Sequence, residues 1–336
     1  MEKNEKFNIN SFIDSFLNYH QEINNLIVDN IGIFYDLAKL VNRETNQKEM
    51  ISEIDWNKVT RKTFLENIQL IDSFHQNIGI NFKIDDIIKD GTINILTNDL
   101  DEAINNESSE LLEGHNCYQS GHKSIDIYNN GLITDSVIWV HEISHYRNQT
   151  DNGRRQTNHL LTEAVAHTME LIYLDYLEKI GYEYEAYHIR SILLNTFHFI
   201  SYRAYILTKM YLLYQQLGDT SKESYKYYYG QDEDYDEIKD RFIKTIGKNQ
   251  DALFDAIWYT LSGALSIYMY DRYRKENNFI YKIEELNSAI TNDKSIAECL
   301  KIIDITGYNK ESKDKIKFAF SDYKSLLEDY KKVSKK

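Results

Sequence analysis

The chain has 336 residues, 42% of them hydrophobic and 27% charged, a globular composition large enough for one big domain or two ordinary ones. Its formal charge of −14 offers no overall basic surface for nucleic acid, and the lysines at the end (Lys331, Lys332, Lys335, Lys336) read as a solvated tail. Two cysteines build no disulfide framework, MEKNEKFNINSF is no signal peptide, and no run approaches the ~18 apolar residues of a membrane span, so the expectation is a cytoplasmic protein with neither membrane nor nucleic acid as partner.

With no proline and only 13 glycines, the chain favours long helices joined by short polar connections. NINSFIDSFLNYHQEINNLIVDNIGIFYDLAKLV spaces its apolar residues as a helix over 8–41, and a second helix follows Asp55. GTINILT and KSIDIY alternate as short strands on either side of the acidic DLDEAINNESSELLEG. Thr134-Asp135-Ser136 caps a helix through VIWVHEISHYRNQ, and after NQTDNGRRQTN another covers HLLTEAVAHTMELIYLDYLEKI and closes at Gly181. Further helices are expected over about 184–217, ending at Gly218, and about 249–275, with two or three more to the end. YYYGQDEDYDE reads as a polar link between those two. The fold expected is mainly α, with one small β-sheet beside the motif helix. The organisation expected is a single domain over 1–336: a helical part over 1–90, the sheet and motif helices over 91–180, and a second helical part over 181–336.

The chemistry concentrates at His141-Glu-Ile-Ser-His145, an HExxH motif. Residues four apart share a helix face, so both imidazoles reach one ion while Glu142 stands beside them as a base for water. Catalytic zinc takes three protein ligands. Glu163, eighteen residues after His145, and Glu170, seven residues further along the same face, lie in the apolar setting AVAHTMELIYL. One of the two carboxylates suits the metal and the other a supporting bond to a ligating histidine. His167, one turn after Glu163, is either a supporting partner or a satisfied core histidine. His115 and His122 flank Cys117 without metal-ligand spacing and read as a loop.

The segments CYQSGHKSIDIYNNGLITDSVIWVHEISH and LLTEAVAHTMELIYLDYLEK resemble oligoendopeptidase F and the thimet-oligopeptidase-like zinc metallopeptidases, well over 117–180 and more weakly to about 275. The resemblance implies a mostly helical, zincin-like peptidase of the gluzincin type, with a deep channel that admits short peptides. It implies one zinc ion per chain on His141, His145 and Glu163, Glu170 and His167 in support, and Glu142 as the catalytic base. It also implies that the strand at Ser124–Tyr128 pairs with the peptide substrate. Ser144 replaces the family's glycine. With Gly263 aligned, Gln250 stands where the family has a substrate-facing histidine, and Ala256, Trp258 and Thr260 fall near its tyrosines. Tyr259 after a one-residue shift, His198, and the tyrosines Tyr225, Tyr227, Tyr228 and Tyr229 are the stand-ins for the oxyanion donors. Each of those tyrosines also reads as ordinary packing.

The function expected is therefore a zinc-dependent endopeptidase for short or unfolded peptides. One alternative is a catalytically impaired peptide-binding relative. The other is a ferritin-like di-iron bundle using Glu142-x-x-His145 with Glu185-x-x-His188. The oligomeric state stays open.

Overall fold

A computed structural model describes residues 8–19, 35, 39, 54–89, 93–97, 114–119, 122–148, 159–246, 252–276, 278–292, 294–306 and 309–333. The elements are α1 (Ile9–Tyr19), α2 (Phe64–Asn77), α3 (Ile84–Lys89), β1 (Ile93–Thr97), β2 (Gly114–Gln119), β3 (His122–Asn129), α4 (Ile133–Asn148), α5 (His159–Lys179), α6 (Glu183–Leu217), α7 (Lys222–Tyr229), α8 (Tyr235–Ile246), α9 (Ala252–Lys275), α10 (Phe279–Thr291), α11 (Ile296–Ile302) and α12 (Lys310–Val333). The chain is mainly α with one small sheet, as its composition and patterning lead one to expect. Most of the helix expected over 8–41 lies outside the described residues. The helix expected after Asp55 starts later, because Thr63 and Glu66 form a capping box that sets the first turn of α2.

The chain groups into two compact units, one made of residues 1–46, 196–261 and 308–317, the other of 47–195, 262–307 and 318–336. In the first, Lys209 is almost wholly buried, pairs with Asp234 at 2.6 Å and sits within 5.4 Å of the rings of Tyr205, Tyr225 and Tyr229. The hydroxyl of Tyr225 donates to Asp234, and that of Tyr229 to the carbonyl of Lys209. Tyr225 and Tyr229 thus serve packing and charge burial in this unit. The stretch 227–237, read as a polar link, holds the end of α7 and the start of α8, with 230–234 joining them. Ser221 and the left-handed Gly230 cap α7, and Tyr235, Ile238, Phe242 and Ile246 bury one face of α8.

In the second unit β3 is the middle strand of three, parallel to β1 and antiparallel to β2. This corrects two expectations. The segment around Cys117, read as a loop, is strand β2, with Gln119 opposite His122. Its side chains, and those of His122–Ser124, lie outside those described. The strand at Ser124–Tyr128, expected to pair with substrate, is the middle strand, with Ile125, Asp126 and Ile127 paired on both sides. Helix α4 packs on this sheet and on α5. Trp139, fully buried, donates from Nε1 to the carbonyl of Tyr128 at 3.0 Å and lies against Phe64. Tyr173 of α5 donates to Ser136 Oγ at 2.8 Å and meets Phe74 edge-on. These contacts set the height and rotation of α4 relative to α5, and so aim the histidines.

Candidate metal centre

The site begins with the turn into α4. Gly131 holds φ +73°, a conformation that costs an L side chain roughly 1–2 kcal/mol. Asp135, in the first turn, then accepts the backbone N–H groups of Asn130 (2.9 Å) and Leu132 (3.1 Å) and the side-chain amide of Asn130 (3.0 Å). Burial pushes its carboxyl up to about 6, against the pull of these donors. The residue expected to cap the helix therefore acts from inside it. Two turns on, His141 and His145 emerge on one face, and Glu142 follows the first of them, 5% exposed. Ser144 donates its hydroxyl to the carbonyl of Val140 at 2.7 Å, so the serine replacing glycine leaves no unmet polar group.

Helix α5 supplies the carboxylates. Glu163 and Glu170 are both buried, as their apolar setting requires. His145 Nε2 lies 3.2 Å from one oxygen of Glu163, His141 Nε2 lies 3.6 Å from the other, and the two Nε2 atoms are 3.0 Å apart. Atoms ~2.0–2.1 Å from a tetrahedral ion stand ~3.3 Å apart, and these separations, which reach one carboxylate oxygen of Glu163 from each histidine, lie close to that spacing. The donor set of two imidazoles and one carboxylate suits that ion as well. His141, His145 and Glu163 thus fit a metal.

Around this face lie supporting groups. Glu170 Oε2 is 3.4 Å from Nδ1 of His141 and 2.6 Å from Nδ1 of His167. His167 Nε2 in turn is 3.8 Å from Glu163, and its ring lies edge-on to His141 with centroids 4.7 Å apart. A carboxylate behind a ligating imidazole fixes its tautomer and raises its basicity. His159, unremarked in the sequence, opens α5 one turn before Glu163 and places Nε2 3.7 Å from it. The signal was the i, i+4 spacing on a helix already assigned.

Burial disfavours charge throughout the cluster, yet the groups ionise one another. Burial works against a proton on His141, but Glu170 and Glu163 outweigh it and raise the imidazole well above its usual range. Glu163 is held well below the usual carboxylate range, because His145 and His141 overcome the effect of burial. Glu170 is lowered to about 2, His141 and His167 again outweighing burial. Glu142 behaves differently: burial raises its carboxyl, and the histidines only partly offset it.

Tyr259 in α9 and His198 in α6 belong to the other compact unit, with Tyr259 half-buried. The side chain of His198, and Gln250 altogether, lie outside what is described. Thr260 is buried and bonded to the carbonyl of Ala256, inside its own helix. The di-iron arrangement does not form: Glu185 accepts the backbone N–H of Thr60 at 2.8 Å, and His188 stacks on Tyr184. Among the described residues, the groups able to hold a metal are His141/His145/Glu163 and His141/His167/Glu170.

No protein-family model matches the sequence, and no curated protein matches it by sequence. Two solved structures share the fold. A Bacillus anthracis protein described as an oligoendopeptidase F superposes with a TM-score of 0.55 at 11% identity, over 98% of this chain and 58% of that one. PZ peptidase A, solved with an inhibitor, gives 0.54 at 11% identity, over 96% and 59%. The chain has the helical fold of these peptidases and spans under two thirds of their length. Among the described residues no helix is long and apolar enough to cross a membrane.

Proposed function

We propose that the protein is a zinc-dependent endopeptidase acting on short or unfolded peptides. The observation that carries this reading is the convergence of His141, His145 and Glu163 at metal-ligand spacing, with Glu142 adjacent, on a fold shared with peptidases. His141, His145 and Glu163 would hold one zinc ion, which when bound polarises the scissile carbonyl and makes water acidic. The protein's own part is proton handling and orientation. Glu142, its carboxyl raised by burial, takes a proton from water and returns it to the leaving amine nitrogen. Glu170, shared by His141 and His167, keeps the lone pair of His141 Nε2 directed at the centre.

The test is mass spectrometry of a peptide mixture treated with zinc-loaded protein, with a chelator control and the variant Glu142→Gln. The variant is expected to bind one zinc per chain and to lose cleavage by ~10²–10⁴-fold. Cleavage by the variant at the parental rate would overturn the assignment. A second reading, a peptide-binding protein with impaired turnover, has one observation in its favour. At the positions aligned with the family's tyrosines, Ala256 has no hydroxyl and that of Thr260 is committed to its own helix. Zinc retained by the parent protein without cleavage of any peptide would select it.

A further inference from the structure

Asn148, the last residue of α4, is 3% exposed, and among the described residues neither its side-chain oxygen nor its nitrogen has a hydrogen-bond partner. A buried amide left unmet costs roughly 1–3 kcal/mol and calls for an explanation. Its place on the helix supplies one. It lies seven residues after His141 and three after His145, hence on the ligand face, and helical side chains lean back over the preceding turn, here toward His145.

His145 has the complementary need. Its Nε2 faces His141 and Glu163, so a metal taken up there leaves a proton on Nδ1, which needs an acceptor. For His141 the carboxylate facing that nitrogen is Glu170, 3.4 Å away. Among the described residues no acceptor is bonded to Nδ1 of His145. Residues three apart on a helix have Cβ atoms ~5–6 Å apart, a span the Asn148 amide bridges by turning about its own side-chain bonds.

We propose that Asn148 is a positioning residue for the metal centre, its side-chain oxygen accepting the Nδ1–H of His145 when the metal is bound. The unmet amide is then a stability cost retained for the site. This rests on the metal-binding reading above, and the experiment separates the two.

Zinc affinity by chelator competition, the absorption bands of the cobalt-substituted protein, and thermal unfolding of the metal-free protein are measured for the parent chain, Asn148→Leu, Asn148→Asp and His145→Ala. Leucine is nearly isosteric and removes the unmet polar group. The expected signature is opposed: Asn148→Leu binds zinc 10–100-fold more weakly with shifted cobalt bands, yet unfolds at the same or a higher temperature. Asn148→Asp, which keeps an acceptor, stays within a few-fold of the parent. Unchanged zinc affinity and cobalt bands in Asn148→Leu would overturn the proposal. Should Asn148→Leu lose both stability and metal, Asn148→Asp decides, retained affinity supporting the role and lost affinity refuting it. If the parent chain takes up no metal, or if His145→Ala binds as the parent does, the underlying metal reading fails and this proposal falls with it.

Discussion

At the scale of single residues, His75 makes a pH dependence that can be checked away from the metal cluster. It is 1% exposed in α2 between Phe74 and Phe82, and among the described residues its Nδ1 has no hydrogen-bond partner. Burial, aided by the charge of Arg147, lowers its imidazole to about 4. The unfolded chain, with a value near 6.5, binds the proton more readily, so stability rises with pH across this interval. The contribution is complete above pH ~6.5 and is lost as pH falls toward 4, for a total of roughly 2–3 kcal/mol. Denaturant unfolding of the parent chain and of His75→Leu at pH 7 and pH 4.5 is expected to show a smaller pH loss in the variant. Equal losses in both would mean that His75 is not protonated on unfolding.

At the scale of elements, the metal face is formed by two helices whose mutual placement rests on a few buried side chains. Trp139 is the clearest, because it fills space against Phe64 and ties α4 to β3 through the carbonyl of Tyr128. Trp139→Phe removes both volume and the donor, and is expected to cost about 2–4 kcal/mol. Denaturant titration should show a lower midpoint with an unchanged slope; a midpoint equal to that of the parent would mean that the sheet does not hold α4 through this contact. The sheet also shows where pattern reading reached its limit. Strands β1 and β3 alternate and were legible, whereas GHNCYQ has no apolar alternation and becomes a strand only through pairing with β3. α7 and α8 were missed for another reason. Their caps and the 235, 238, 242, 246 spacing were present, but the acidic tyrosine-rich composition resembles that of a loop.

At the scale of the whole molecule, the second compact unit is tied through Arg190, which has no exposed surface. Its guanidinium bonds to Asp175 and to Glu178 (3.0 Å) of α5, Tyr270 of α9 donates to Asp175 at 2.6 Å, and Tyr323 of α12 donates to the carbonyl of Arg190. Helices α5, α9 and α12 thus meet around this residue of α6. Arg190→Met is expected to lower stability by about 2–4 kcal/mol, less than a fully enclosed pair because both carboxylates keep some contact with water. Arg190→Lys should recover only part of this, since one ammonium does not reproduce the two-carboxylate fork. Calorimetry would settle both, and a melting temperature equal to the parent's in Arg190→Met would contradict the role.

By itself the sequence determined the helical fold class, both helices of the centre and the histidines and glutamates on them, because helical spacing places i, i+4 and i+7 on one face wherever the helix goes. It also showed that Glu163 and Glu170 would be buried, since their neighbours on α5 are apolar. Only the tertiary structure decided what lies between helices. It brought Glu163 within 3.6 Å of both histidines, set Glu170 behind His141, and left Asn148, one turn beyond His145, buried without a partner among the described residues. It also turned the strand expected to receive substrate into the middle of the sheet. The physical reason is one of range. Periodicity reports which face of an element is apolar, whereas strand order and the meeting of two helix faces depend on packing between residues distant in the chain, which no local spacing records.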